Sequence, residues 1–305
     1  MSYFYGPVPS RRLGFSLGVD LIPKKTCTLD CLYCQLGCSE KKTMKRFFYV
    51  DMRKFTQELK EITKTNPKID YITISGSGEP TLHKSLDKII HAIKRIVKNK
   101  YPVCVITNSS LLYRKDVRNE LKAADLIIPS LDAATSGTFR RINRPHKAVV
   151  FKKLVKGIIS LRKEFKGKIW LEIMLLAGVN DTIAELEKFR EIVENINPDK
   201  VQLNLPVRPC SFKLSGPSPK KLERIVEIIN NNAEIVAGVS NLKNRAKVSK
   251  DLAREILTFL KRRPATLDDL VISLAARPRD ISKELNFLLD KGVLRKQNNH
   301  FTIND

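Results

Sequence analysis

Four of the six cysteines in this chain lie within twelve residues, in the stretch CTLDCLYCQLGC at positions 27–38. Cys27, Cys31 and Cys34 are spaced C-x3-C-x2-C, and Cys38 follows after three further residues. Thiolates at short spacing are ligands of iron–sulfur clusters and of structural zinc sites. In a reducing cytosol, clustered cysteines are more typical of metal sites or catalytic groups than of disulfides. The run therefore predicts a metal centre or a catalytic thiol group.

Two common arrangements match the run poorly. A ferredoxin-like run reads C-x2-C-x2-C-x3-C-P, whereas here the first spacing is longer and Ser39 stands in place of the proline. A structural zinc site usually gathers four cysteines as two separated pairs. Structural zinc and a plain electron-carrying cluster both remain open as interpretations of the run. Of the other cysteines, we expect Cys104 in the core on a strand and Cys210 in a loop.

Short polar motifs follow the apolar runs of the chain: SGSGEP, TNSS, SLDA, MLLAGVN and NLPVRP. In parallel α/β folds, the loops after several strands meet at one edge of the sheet, where binding sites form. In SGSGEP, glycines let the backbone approach a ligand closely, and the carboxylate of Glu79 suits an ammonium group. The motifs therefore predict a ligand site at the C-terminal edge of the sheet.

The elements that position these motifs are apolar, β-branched runs alternating with amphipathic stretches of helical period. This pattern is typical of βα units and a parallel sheet, and six units predict an α/β fold with a partial (β/α)6 barrel. The predicted strands are 15–22, 70–75, 102–107, 125–130, 168–175 and 200–205. The predicted helices are 53–65, 84–99, 114–123, 147–165, 181–195 and 218–232, with Asp181 and Ser218 as capping residues.

The pattern changes after the sixth unit. We predict a catalytic domain over 1–240, a linker over 241–248 and a small domain over 249–305. The last segment carries three short amphipathic helices, at about 250–262, 266–275 and 279–290, followed by the hairpin pattern GVLRKQNNHFTI. Three helices and a hairpin resemble a winged helix, a module that often contacts DNA.

The charge balance is strongly basic. The chain has 56 Lys and Arg against 32 Asp and Glu, a net charge of +24, of which +18 lies in the first 240 residues. Such an excess predicts a polyanionic partner, nucleic acid above all. Residues 1–12 hold no apolar core of a signal peptide, and no segment approaches the roughly 18 apolar residues of a membrane span. We therefore expect a cytoplasmic protein with no membrane partner.

The C-x3-C-x2-C spacing, with Tyr33 before the third cysteine, resembles the signature of the radical S-adenosylmethionine (SAM) superfamily. The resemblance implies that Cys27, Cys31 and Cys34 hold a [4Fe-4S] cluster whose open iron binds SAM. It also implies reductive cleavage of SAM to a 5′-deoxyadenosyl radical that takes a hydrogen from the substrate. Cys38 is then a non-ligand, because a fourth thiolate would close the open iron. The family has a partial (β/α)6 barrel.

The resemblance also implies contacts to SAM. The SGSGEP loop lies where the superfamily has a Gly-Gly-Glu-like motif that binds the amino group, with Ser77 in place of the first glycine of the pair. Met174, Leu176 and Pro206 are further candidates for the wall of the adenine and ribose pocket. For Met174 and Leu176, packing in the core explains an apolar residue nearly as well. The candidate SAM contacts are Tyr33, Ser75, Gly76, Gly78, Glu79, Asn108, Ser130, Asp132 and Asn204.

Two segments resemble a narrower branch. GPVPSRRLGFSLGVDLIPKKTC and FRRINRPH are similar to segments of the wyosine synthases, which rebuild a guanosine in tRNA. Those enzymes carry further cysteines before the first set, whereas this chain has none before Cys27, so we carry over the cofactor chemistry and not the ring-forming reaction. The basic residues Arg140, Arg141 and Arg144 are expected in a loop, where they could clamp a phosphate of the substrate or the carboxylate of SAM.

These observations lead to three hypotheses. The first is a radical SAM enzyme that modifies a macromolecule, plausibly tRNA, with an electron donor such as ferredoxin or flavodoxin. In the second, the radical SAM enzyme modifies or activates a protein partner, and the C-terminal module docks that partner. In the third, the protein is a DNA-binding regulator whose cluster senses redox state. Release of 5′-deoxyadenosine separates the third from the others, and co-purifying nucleic acid separates the first from the second.

Overall fold

The chain folds around one eight-stranded sheet in which spatial order equals chain order, from β1 to β8. The computed structural model describes residues 2–38, 42–65, 67–229, 232–236, 252–261, 264–274 and 276–304. β1 is antiparallel to β2, and every later neighbour pair in the sheet is parallel. The strands are β1 (Phe4–Ser10), β2 (Gly14–Val19), β3 (Tyr71–Ile74), β4 (Val103–Thr107), β5 (Leu126–Pro129), β6 (Lys168–Met174), β7 (Lys200–Asn204) and β8 (Ala233–Ile235).

Helices connect the parallel strands and pack on the outer face of the sheet. Their apolar sides meet the outward-facing residues of the strands, such as Ile72, Val105 and Leu171, in one large core. No helix in the described part of the chain is long and apolar enough to span a membrane. The helices of this part are α1 (Met52–Lys64), α2 (Leu86–Ile96), α3 (Lys115–Leu121), α4 (Ser136–Asn143), α5 (Phe151–Glu164), α6 (Ile183–Ile196) and α7 (Pro219–Ile229), together with a 3-10 helix (Pro80–Leu82).

The predicted α/β fold is confirmed: the six expected strands are β2 to β7, and they are parallel. Among the described residues, β1 and β8 do not pair with each other, so the sheet is an open barrel. Both edge strands were missed. β1 reads FYGPVPS, and its two prolines are tolerated because they lie at a sheet edge, where an N–H needs no partner. The helix cap expected at Asp181 lies one residue later, at Thr182.

The prediction that the basic segment forms a loop is wrong, because most of this segment is helix α4. Thr135 caps this helix by accepting a hydrogen bond from the N–H of Thr138. Phe139 is buried and packs on Phe151 of α5 with ring centroids 5.4 Å apart. Glycine and two threonines in TSGTFRRIN lower its helix propensity, so tertiary packing decides the conformation.

The interior of the open barrel has two layers. The lower layer is apolar and contains Cys104, as predicted, with Leu13, Leu126 and Ile128. Above it the inward-facing side chains are mostly polar, because strand residues alternate between the two faces of the sheet. Ser16, Thr73, Gln202 and Asn204 are buried polar residues of these strands, and Glu172 is partly buried among them. The polar layer faces the loops that carry the candidate motifs.

The C-terminal segment forms α8 (Leu252–Leu260), α9 (Leu267–Leu274) and α10 (Pro278–Asp290), and then the antiparallel pair β9 (Leu294–Gln297) and β10 (His300–Ile303). Three helices and a hairpin are the elements that we predicted, while the winged-helix assignment and the domain boundaries stay predictions. The proposed linker at 241–248 lies outside the described residues. The small core of this segment includes Val8 of β1, and Tyr5 packs against it.

We predict that Val8→Ala destabilises the full chain by about 1–2 kcal/mol, because Val8 is 5% exposed and fills a core shared by β1 and the C-terminal helices. Val150→Ala, at a valine that is 47% exposed, is the matched control and should change stability little. Chemical denaturation measures the loss, and hydrogen exchange should become faster in both β1 and α9. Equal stability of the two variants would contradict the packing of the C-terminal segment on β1.

Candidate functional site

The cysteine run lies in the long loop between β2 and α1. Cys27, Cys31 and Cys34 are half-buried, and Cys38 is exposed. Two successive turns shape the run: the N–H of Cys34 donates to the carbonyl of Cys31 at 3.0 Å, and the N–H of Gly37 donates to that of Cys34 at 3.1 Å. The loop thus keeps Cys27, Cys31 and Cys34 partly buried, whereas Cys38 is exposed.

The surroundings of these thiols disfavour an uncompensated thiolate. Burial, followed by the charge of Glu79, raises the pKa of Cys27 to about 12. Burial likewise raises the pKa of Cys31 and of Cys34. Side-chain amides of Asn108 and Asn143 donate to the sulfurs of Cys27 and Cys31, each at 3.3 Å. Binding of a metal cluster would stabilise the thiolate forms of these cysteines, because the metal supplies the missing positive charge.

The described residues contain no group of three or more His, Cys, Asp or Glu side chains that could hold one metal ion. A cube of iron and sulfide does not need such a group, because each of its cysteine ligands binds a different iron atom. The three thiols therefore fit a [4Fe-4S] cluster better than a single zinc ion, for which four ligands must surround one centre.

A cavity of about 380 Å³ lies beside the cysteines, within the size range of small-molecule sites. It extends from the C-terminal edge of the sheet into the polar layer of the barrel. Met174 and Pro206 also border it, whereas Leu176 is buried outside it. The predicted site residues that border it are Cys27, Tyr33, Cys34, Ser75, Gly76, Gly78, Glu79, Asn108, Ser130 and Asn204.

The SGSGEP loop is held tightly against the segment that leads to Cys27. Ser77 donates two hydrogen bonds to the carboxylate of Asp20. Its N–H binds Oδ1 at 3.0 Å, and its hydroxyl binds Oδ2 at 2.6 Å. The N–H of Lys25 donates to the carbonyl of Ser77 at 2.7 Å. A Cβ at Gly78 would lie 2.2 Å from the carbonyl oxygen of Thr26, so the close approach requires glycine.

Glu79 is 2% exposed and accepts four hydrogen bonds from the protein. Its Oε1 accepts from the N–H and hydroxyl of Thr81, at 3.1 and 2.6 Å, and from the hydroxyl of Thr107 at 2.6 Å. Its Oε2 accepts from the N–H of Asn108 at 2.7 Å. Burial raises the pKa of this carboxyl and the four donors oppose the rise. Oε2 keeps room for a further donor from a ligand in the cavity.

Asp132 does not border the cavity, unlike the other candidate SAM contacts. It is buried, and it accepts hydrogen bonds from the hydroxyl of Tyr33, from Nδ2 of Asn143 at 2.7 Å and from the N–H of Met174 at 3.0 Å. Burial raises its pKa to about 6. Its position lets it orient Tyr33, which is at the cavity wall, and Asn143, which donates to Cys31.

The floor of the cavity carries charged residues that we did not predict as site residues. Arg12 and Glu172 form an ion pair there, with side-chain exposures of 15% and 12%. Ser130 and Asn204 donate to Glu172, at 3.1 and 3.3 Å. The ion pair with Arg12 keeps the pKa of Glu172 below its usual range in spite of burial. One signal was available: Glu172 is the lone charge in the apolar run IWLEIMLL, where a partner inside the fold is expected.

The three arginines proposed for the substrate do not border the cavity. Arg140 and Arg141 are exposed on α4. Arg144 ends this helix and binds Asp30 in the cysteine loop, through Nε to the carbonyl at 2.7 Å and Nη2 to the carboxylate at 2.6 Å. Its Nη2 also donates to the sulfur of Cys38 at 3.5 Å. Arg144 therefore supports the loop, and the other two face solvent beside it.

Comparison with known proteins agrees with this geometry. Residues 21–193 match the sequence profile of the Radical SAM superfamily. The chain is 36% identical over 306 residues to a UPF0026 protein of Methanocaldococcus jannaschii, a match that covers 97% of this chain and 93% of that protein.

A second relative is longer. The chain is 42% identical over 296 residues to a protein named GTPase Obg of Brachyspira hyodysenteriae. The match covers 96% of this chain but only 43% of that protein's length. The GTPase activity in its name is said of that protein alone, because this chain spans less than half of its length.

The likeness to the wyosine branch is distant. The S-adenosyl-L-methionine-dependent tRNA 4-demethylwyosine synthase of M. jannaschii is 30% identical over 154 residues, which are 50% of this chain and 43% of that protein. The solved structure of TYW1 with a lysine–pyruvate adduct bound has a TM-score of 0.55 at 20% identity, covering 75% of this chain and 76% of that one. That likeness shows a shared fold. The profile match over more than half of the chain shows that this protein belongs to the radical SAM superfamily, whose members are enzymes that use a [4Fe-4S] cluster and SAM.

Proposed function

We propose that this enzyme holds its cluster through Cys27, Cys31 and Cys34 and modifies an RNA, with tRNA as the leading substrate. The observation that carries the proposal is a cavity at the C-terminal edge of the sheet that is bordered by two of the three half-buried cysteines, Cys27 and Cys34. When bound, the cluster would supply an electron for the cleavage of SAM. It would also supply an open iron for the amino and carboxylate groups of SAM.

The protein's own residues position the reactants. Asn108 and Asn143 donate to cysteine sulfurs, and such donors adjust the charge and potential of a cluster. The free capacity of Glu79 Oε2 suits an ammonium group at the cavity wall. Tyr33, Ser75, Gly76, Gly78, Ser130 and Asn204 border the rest of the proposed SAM site.

The charge of the chain supports RNA as the substrate. The first 240 residues carry a net +18, and α4 presents two exposed arginines next to the cysteine loop. The end of α4 touches that loop directly: the N–H groups of Asp30 and Leu32 donate to the carbonyls of Asn143 and Ile142, at 3.0 and 2.9 Å. A phosphate backbone that binds Arg140 and Arg141 would therefore lie beside the mouth of the site.

A second candidate is modification of a protein partner. It is favoured by the C-terminal segment, which packs on β1 and carries a net charge of only +3 over residues 249–305. Val8 and Pro9 of β1 border the cavity, so a partner bound by this segment would lie near the site. Either reaction requires a reductant, for which ferredoxin or flavodoxin are suitable donors.

We predict that anaerobically reconstituted protein binds about four irons per chain and, with dithionite and SAM, releases 5′-deoxyadenosine. Alanine at Cys27, Cys31 or Cys34 should abolish both, because each thiol is proposed to hold one iron. Cys38→Ala is the matched control and should retain both, since Cys38 is exposed. Iron analysis and chromatography of the products measure the result.

Loss of iron in the Cys38 variant, with retention in any of the other three, would refute the ligand assignment. Intact SAM in the presence of a reduced, complete cluster would favour the redox-sensor hypothesis instead. Glu79→Ala would not report on SAM binding alone, because it would also leave the donors of Thr81, Thr107 and Asn108 without their acceptor.

We predict that the double reversal Arg140→Glu/Arg141→Glu weakens tRNA binding by on the order of tenfold at low salt, because it replaces two phosphate-binding charges by repulsive ones. It should also lower the salt dependence of the affinity. Arg144 is left unchanged, since it anchors the cysteine loop. Fluorescence anisotropy with labelled tRNA over a salt series gives both quantities.

The control is Lys188→Glu/Arg190→Glu, which reverses two exposed cations on α6. It changes the net charge equally, so an equal effect would mean that binding depends on total charge and not on α4. No binding of tRNA by the unchanged protein at low salt would refute RNA as the substrate and leave the protein partner as the better hypothesis.

A further inference from the structure

Two exposed phenylalanines and a half-buried tyrosine follow the cysteine loop in the chain. We call Phe47, Phe48 and Tyr49, together with Lys45 and Lys84, the aromatic ridge. Phe48 is 69% exposed and Phe47 is 43% exposed, and no other large apolar side chain of the described residues is more exposed than Phe48. Such exposure of phenylalanine in the catalytic domain is unfavourable in water unless a partner covers it.

The backbone of the ridge is fixed. The N–H of Phe47 donates to the carbonyl of Leu82 at 3.0 Å, and the N–H of Lys84 donates to the carbonyl of Phe47 at 2.8 Å. Arg46, which lies between Lys45 and Phe47 in the chain, is buried. It donates to the carbonyls of Thr81 and His83, each at 2.8 Å. This clamp points Arg46 inward, so the exposed rings lie on a segment whose backbone is hydrogen-bonded to residues 82–84.

Cations lie over the exposed rings. Lys45 Nζ is 4.7 Å from the centre of the Phe47 ring, and Lys84 Nζ is 5.7 Å from that of Phe48. The groove beside Phe48 also contains Asp116 and Glu120.

Both acids of the groove are already paired. Asp116 binds Arg46 at 3.0 Å and Arg114 at 2.8 Å, and Glu120 also pairs with Arg46. The two lysines therefore give the ridge its net positive charge.

A buried histidine lies behind the rings. His83 is 3% exposed, and its ring centroid is 6.4 Å from that of Phe48 and 6.3 Å from that of Tyr49. Neither ring nitrogen has a hydrogen-bond partner among the described residues. Burial lowers the pKa of His83 to about 4, so it is neutral at physiological pH and adds no charge to the ridge.

Flat rings alternating with lysines are the features by which proteins bind single-stranded nucleic acid. Bases stack on the aromatic faces while the cations bind the phosphates between them. A protein partner would match the apolar rings but would gain little from the lysines unless it were acidic. The ridge is also close to the site in the chain: the N–H of Thr43 donates to the carbonyl of Cys27 at 2.9 Å, and Leu82 follows Glu79 by three residues.

We propose that the aromatic ridge binds a single-stranded stretch of the RNA substrate, with Phe48 stacking on a base and Lys45 and Lys84 contacting the flanking phosphates. This inference rests on the proposed function, since it names how that RNA is held. It places the bound strand beside the end of the cysteine loop and the segment that follows Glu79.

The test measures binding of a labelled twelve-residue oligouridylate and of a matched RNA duplex to the full chain. Phe48→Ala and Phe48→Leu should each weaken binding of the single strand by about tenfold, because both remove the ring on which a base stacks. Phe48→Trp should bind at least as tightly as the unchanged protein. Lys84→Glu should weaken binding and reduce its salt dependence. The duplex should show little response to Phe48→Ala, because its bases are already stacked.

Phe287→Ala is the matched control. Phe287 lies on α10, is 53% exposed and has Lys291 Nζ 5.8 Å from its ring centre, so it has the same chemistry outside the ridge. Because Phe48 and Phe287 are largely exposed, both variants should keep the melting temperature of the parent. Affinity should also be the same at pH 6 and pH 8, since His83 loses its proton well below this window.

Three results would overturn the inference alone, provided that the unchanged protein binds RNA: full affinity in Phe48→Ala, full affinity in Phe48→Leu, or a larger loss in Phe287→Ala than in Phe48→Ala. The last result would assign the single strand to the C-terminal segment. If the unchanged protein binds neither the oligonucleotide nor tRNA, the proposed RNA substrate fails and the inference fails with it.

Discussion

The carboxylate of Glu79 is the interaction on which the site depends. It is buried and joins the loop after β3 to the loop after β4, since its donors come from Thr81, Thr107 and Asn108. Asn108 then donates from the same loop to the sulfur of Cys27. A buried carboxylate is stable only when such donors surround it, and the donors in turn are fixed by it. The cysteine loop and two strand ends are thereby held as one unit before any ligand binds.

The alternation of strand residues explains why the barrel can carry a polar cavity and remain stable. Outward-facing residues such as Ile72 and Leu171 pack against the helices, so the hydrophobic core lies outside the sheet. The inner face is then free to carry the Arg12–Glu172 pair and its hydrogen-bonding partners. Each charge in this layer has a partner of opposite sign or a hydrogen bond, which offsets its desolvation.

The open edges of the sheet give the cavity its side wall. β1 has prolines at positions 7 and 9, which lack the N–H that a further strand would need, and the C-terminal helices pack on it. Both β1 and the segment after β8 border the cavity, through Val8, Pro9 and Val236. Substrate access and the packing of the C-terminal segment are therefore physically linked, because one strand takes part in both.

The sequence by itself determined the six parallel strands, the spacing of the cysteines and the polar motifs at the strand ends, because periodicity and short-range spacing are local properties of the chain. It did not reveal α4, whose weak propensity is outweighed by the packing of Phe139 on Phe151, or the edge strand β1, whose prolines are tolerated only at an edge. Only the tertiary structure decided which polar residues meet. It placed Arg144 on Asp30 and not at the cavity, put Asp132 behind Tyr33, and paired Arg12 with Glu172, which is 160 residues away in the chain. Such pairs depend on how separate strands and loops are arranged in space, and local sequence patterns carry no information about that arrangement.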